Sequence, residues 1–157
     1  MTFTITEELK DQLIFLGWSE GENRLSPDTV NEVEKAGWKI FPAAEEFLRE
    51  FEGLGSWAGV ILDSLDAGTN WTYFDQEDPL QVLEENRRIE HFYLGRIYPI
   101  GCFNGWAPYF INESGFIFCI VGDISHPIAS TPQGCIEKLF ADMTWVRQSE
   151  LQQRENQ

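Results

Sequence analysis

Residues Ala36 to Leu54, AGWKIFPAAEEFLREFEGL, constrain the fold more than any other part of this chain. Pro42 is a strong helix start. Apolar side chains then fall at Ala44, Phe47, Leu48, Phe51 and Leu54, the i, i+3, i+4, i+7 rhythm of one helix face. Glu45, Glu46, Arg49, Glu50 and Glu52 fill the remaining arc, so the spacing predicts a buried side and a wet side. Gly53 and Gly55 can end the helix in a left-handed conformation. A helix this amphipathic needs a partner layer, and the rest of the chain must supply it.

The flanking segments read as further elements. Thr6 can cap a first helix running to Leu16, with Glu7 and Glu8 at its positive end and Leu9, Leu13 and Leu16 as its apolar stripe. Ser26-Pro27 opens a second, thinly apolar helix with Val30 and Val33 facing inward. Both end in Gly-Trp, a shared stop signal. From Ser56 the period changes, and Trp57 to Leu62 reads as a short strand. Asp63 to Gly68 reads as a turn-rich acidic link, and Trp71, Tyr73 and Phe74 as an aromatic strand. Asp78-Pro79-Leu80-Gln81 has the logic of a capping box for a helix reaching Leu94. Arg96 to Cys102 reads as a strand with an edge or bend at Pro99. Trp106 to Ile111 and Phe116 to Val121 form a hairpin around Asn112-Glu113-Ser114-Gly115. Ile124 to Ser130 follows a turn at Gly122-Asp123. Thr131-Pro132 starts a last helix with Ile136, Leu139, Phe140 and Met143 inside. The expected fold class is α+β: N-terminal helices packed on a mostly antiparallel sheet, with a helix between strands and a C-terminal helix. No linker divides the chain, which points to one domain over residues 1–147 and a polar tail over 148–157.

Charge narrows the function. The 157 residues carry 26 acidic and 11 basic side chains, a net −15. Residues 1–67 hold −9 of this and residues 68–90 hold −4. Such a field repels nucleic acid and anionic membranes and draws in basic partners. Cys102, Cys119 and Cys135 are too few and too far apart for a disulfide framework and are expected to be buried free thiols. The start of the chain lacks the basic and long apolar segments of a signal peptide, and no apolar run is long enough to span a membrane, so a cytoplasmic location is expected.

No catalytic constellation emerges. His91 is expected on a helix and His126 in a turn before Pro127, neither with a nucleophile elbow. No HExxH or CxxC spacing suggests a metal, and Asp75-Gln76-Glu77-Asp78 lacks the ligand series of a calcium loop. The glycines come without the lysine of a phosphate loop. The 26 acids make any one carboxylate pair uninformative. The expectation is therefore no catalytic residue, no cofactor and no metal.

An ordered set of short motifs carries a resemblance. Leu16-Gly17-Trp18 is followed by an Arg-containing spacer from Gly21 to Arg24, and then by AGW and FLREFEGL. Phe74-Asp75, Asp78-Pro79-Leu80, Tyr98-Pro99-Ile100-Gly101 and Phe110 to Gly115 come later. Over Leu9 to Met143 the chain resembles the SUKH superfamily of bacterial immunity proteins, in particular its third subgroup. It departs at Glu52, where the family usually has Gly, at Asn112, where it often has an acid, and in lacking the usual Gly-Arg pair after Trp18. The resemblance implies an antitoxin that binds a cognate polymorphic toxin domain, often a nuclease, and occludes its basic active-site surface. The expected contact surface is Asp63, Asp66, Asp75, Glu77, Asp78 and Glu113, with Trp71 and Trp106 as aromatic anchors. The competing expectations are a SUKH-type interaction scaffold with a regulatory role and no toxin partner, and a hydrolase using paired carboxylates.

Overall fold

The computed structural model describes residues 3–56, 58–69, 95–121 and 124–140. The expected aromatic strand at Trp71 to Phe74, the capping box at Asp78, the helix to Leu94 and the polar tail lie outside the described residues. In chain order the elements are α1 (Glu7–Phe15), α2 (Pro27–Lys35), α3 (Pro42–Phe51), β1 (Val60–Ile61), α4 (Ser64–Thr69), β2 (Ile97–Phe103), β3 (Ala107–Asn112), β4 (Ile117–Val121) and β5 (Ile124–Ala129). A closing helix, α5, occupies residues 132–140. The strands pair in sequence order and every pair is antiparallel. The fold class is α+β.

The helix starts follow local chemistry. Thr6 and Ser26 each accept a backbone N–H in the first turn, from Leu9 and Thr29 respectively. Thr131 does the same for Gly134 at 3.0 Å. The two Gly-Trp stops share one physical basis. Gly17 and Gly37 take φ of 102° and 105°, which only glycine adopts cheaply. The Gly17 N–H then bonds Ile14 O, and the Trp18 N–H bonds Leu13 O at 2.9 Å. This left-handed ending places the following tryptophan against the helix it terminates. Trp18 and Trp38 are accordingly buried.

Packing converges on α3. Ala44, Phe47, Leu48, Phe51 and Leu54 are buried, as the spacing predicts. Phe51 is met edge-on by Phe3 at 5.0 Å and lies 6.4 Å from Phe140 of α5. The chain's beginning is tied to α5 by two reciprocal bonds, Thr4 N–H to Gln133 Oε1 and Gln133 Nε2 to Thr4 O. On the sheet, β2, β3 and β4 are buried without alternation, so both their faces are covered. The Trp38 ring lies 5.6 Å from Phe110, and Phe41 meets Tyr98 edge-on at 6.4 Å. Trp38 Nε1 also donates to Gly68 O of α4 at 3.0 Å.

Several expectations are corrected. Asp63 to Gly68 is not a turn-rich link. Asp63 accepts the Asp66 N–H and the chain folds into the one-and-a-half-turn helix α4. The strand expected over Trp57 to Leu62 shrinks to two residues, because Ser56 and Val60 hydrogen-bond each other across a turn at Gly59. His126 lies on strand β5 and is exposed, not in a turn. Glu52 does not join the wet arc of α3. It is half-buried and bonded to Ser64. Where an edge or bend is expected at Pro99, the register of β2 against β3 shifts between Pro99 and Gly101.

Gly101 reports how tightly β1 meets β2. A Cβ there would stand 2.5 Å from Ile61 O and 3.1 Å from the Leu62 Cα. Both are backbone atoms and cannot swing away. Gly101→Ala is expected to cost about 2–3 kcal/mol through overpacking, read as a lowered urea midpoint at unchanged slope.

Candidate interaction surface

Of the described residues expected to form a contact surface, Asp66 and Trp106 lie towards one end of the β2–β3 pair and Glu113 at the other. Trp71, Asp75, Glu77 and Asp78 lie outside the described residues. Trp106 sits in the β2–β3 turn, 50% exposed, with its ring edge-on to Phe103 at 5.9 Å. Glu113 sits in the β3–β4 turn, at the far end of the same strand. Seven residues of extended chain place the two roughly 20 Å apart. Asp63 caps α4 from just outside it, and Asp66 lies in its first turn, within reach of Cys102 of β2, whose thiol is pushed up by burial and then by the Asp66 charge.

Glu113 is already engaged. Its carboxylate accepts the Arg96 N–H, Nε and Nη2 at 3.1–3.3 Å. Those bonds hold its carboxyl below the usual carboxylate range. A partner's cation at Glu113 would have to displace Arg96, which also lies over the Phe41 ring. Asp63 likewise gives one oxygen to the cap of α4.

The described residues gather a different acidic surface, which sequence spacing does not reveal. A groove of about 510 Å³ opens between residues 3–5, the start of α1, the turn after Trp18 and the outer side of α3. Phe3, Ile5 and Trp18 supply its apolar lining, and Glu7, Glu20, Glu46 and Glu50 its carboxylates. Its two cations are each committed to an ion pair, Lys10 with Glu20 at 3.3 Å and Arg49 with Glu45 at 2.9 Å. Trp18 Nε1 donates to Glu50 at 3.2 Å, which fixes that carboxylate at the groove wall. An apolar lining under a carboxylate rim suits a lysine or arginine, whose methylenes bury while the charged head stays at the rim. The acidic count in residues 1–67 pointed to this end of the molecule; no local motif joined residues so far apart in the chain.

Arg24 organises the neighbouring backbone. Its Nε donates to Glu52 O at 2.6 Å and its Nη1 to Gly17 O at 3.0 Å. One cation thus satisfies carbonyls at the C-terminal ends of two helices, where the helix dipole favours positive charge. Glu22 pairs with the same guanidinium at 3.3 Å.

Among the described residues no group of three or more His, Cys, Asp or Glu side chains is placed to hold a metal ion, and no helix is long and apolar enough to cross a membrane. The three cysteines are free and buried. Burial pushes the Cys135 thiol up to about 12. Among the described residues, Gln12 Oε1 and the Tyr98 hydroxyl are the buried side-chain polar atoms with no hydrogen-bond partner. Burial first, then the charges of Glu34 and Glu52, raise the ionisation of Tyr98 above the ordinary tyrosine value. Removing that hydroxyl relieves an uncompensated desolvation, so Tyr98→Phe is expected to stabilise the fold by about 1 kcal/mol in urea unfolding.

No family model, curated protein or solved structure matches this chain.

Proposed function

We propose that this chain is an immunity protein of the SUKH type, which binds a cognate toxin domain and blocks it without catalysis. The observation that carries the proposal is charge: a net −15, of which residues 1–67 with the N-terminal helices hold −9 and residues 68–90 hold −4. Glu7, Glu8 and Asp11 of α1 and Asp28, Glu32 and Glu34 of α2 are all exposed. A toxin that cuts nucleic acid presents a basic substrate surface, and carboxylates can take the places of phosphates on it. Long-range attraction of this kind raises association rates at low salt and suppresses wrong partners. The order of motifs quoted above supports the same assignment, as does the α+β fold with its leading helices. A cytoplasmic location follows from that role, since the toxin must be met where it would act.

Within this proposal the groove lined by Glu7, Glu20 and Glu46 is the first contact surface to test, with Asp63 and Asp66 as the second. The C-terminal domain of the protein encoded beside this one is assayed for nuclease activity while this protein is added in steps. Inhibition should be complete near one equivalent. Changing Glu7, Glu20 and Glu46 together to Gln should slow association about tenfold at low ionic strength. The difference from the unmodified protein should vanish as salt screens the field over about 3 Å at 1 M. Absence of binding at micromolar concentration would remove that neighbour as the target and favour an interaction scaffold with a regulatory role.

A further inference from the structure

The C-terminal end of α3 and the start of α4 are joined through one carboxyl group. Glu52 Oε1 accepts the Ser64 N–H at 3.0 Å and the Ser64 hydroxyl at 2.9 Å, while Oε2 stands 3.3 Å from the same N–H. Ser64 is fully buried and Glu52 is half-buried. The backbone beside them closes the same junction, with Gly53 N–H bonded to Leu62 O and Leu62 N–H to Leu54 O. The two shorter bonds fall on one oxygen, so the other can carry a proton with only its longer 3.3 Å contact affected. A neutral carboxyl keeps the junction intact and leaves no charge in it.

An ionised carboxylate has less support. Among the described residues, three charged or titratable groups act on it or lie beside it. Arg24 is favourable, but its Nε is directed to the backbone carbonyl of Glu52 rather than to the carboxylate. Asp63, one residue before Ser64, repels it. The Glu52 charge, like that of Glu34 of α2, makes ionisation of Tyr98 of β2 harder, so Tyr98 stays neutral and puts no charge beside the carboxyl. The tyrosine hydroxyl donates to nothing.

We propose that Glu52 and Ser64 form a proton-operated latch: neutral Glu52 holds the β1–α4 arm, residues 60–69, against the end of α3, and ionised Glu52 lets the arm open. The arm carries exposed Ile61 and Leu65, so opening changes the surface offered to a partner. Burial foremost, offset by the two Ser64 bonds, raises the Glu52 carboxyl from 4.5 to about 7. With the arm closed Glu52 therefore keeps its proton to about pH 7, whereas with the arm open a solvated Glu52 loses it near 4.5. Opening releases a proton, so the latch is fully set below pH 4.5 and weakens as pH rises to about 7.

Hydrogen exchange of the whole protein tests this, with rates corrected for the intrinsic effect of pH. The Leu62, Ser64 and Ala67 amides should show an opening equilibrium that grows tens of fold between roughly pH 5 and 8, while Glu52→Gln stays flat over that range. A Glu52→Gln protein with the pH course of the unmodified chain would overturn the latch. Carbon-13 NMR of the Glu52 carboxyl in the unmodified protein gives a second reading that needs no variant. A midpoint near 7 supports the latch, and one near 4.5 overturns it.

Discussion

Burial of one face of α3 is the interaction on which the rest depends. Phe47, Leu48 and Phe51 are fully buried, and each large side chain of this kind contributes on the order of 2–3 kcal/mol when removed from water. The helix touches both β2 and β3, while Phe51 also meets the N-terminal segment and α5. The two ends of the described chain and its sheet therefore meet on the same helix, the ends through Phe51. Helices α1 and α2 add less to the core. Val33 is the one buried residue of α2, and its remaining surface is free to carry charge.

Covering both faces of an antiparallel sheet has a cost in polar groups, and the structure meets most of it with side chains that serve backbone. Arg24 takes carbonyls at two helix ends, Trp38 reaches into α4, and Asn112 accepts three donors to shape the β3–β4 turn. Each leaves few groups unsatisfied in water-poor surroundings, where an orphan is expensive. Tyr98 and Gln12 are the exceptions among the described residues.

What could be seen in the sequence was what local chemistry decides. Thr6, Ser26-Pro27 and Thr131-Pro132 start helices because their caps lie within one turn, and Gly17 and Gly37 stop helices for reasons contained in three residues. The hairpin at Asn112 to Gly115 was visible for the same reason. Helix α4 was not: it is only six residues long, its Asp63 cap reads equally well as a turn, and its first N–H is also held by Glu52, twelve positions back in the chain. Glu52 itself was misplaced by periodicity: it follows the last turn of α3 with an extended ψ of 132°, which swings its side chain off the helical arc. The acidic groove combines residues 3–10, 18–21 and 46–50, so no short window of sequence contains it. Glu113 looked available because its partner, Arg96, lies seventeen residues away.

The three cysteines give the molecule built-in reporters. Cys102 lies on β2, Cys119 on β4 and Cys135 on α5, and each is closed to solvent. Burial raises all three thiols, so the reactive thiolate is scarce while the fold is closed. A thiol reagent therefore reads three elements around Tyr109 through their opening rates: β2 beside the α4 arm, β4 and α5. Alkylation followed by peptide mapping would rank these regions by how often they breathe, with no label added to the chain.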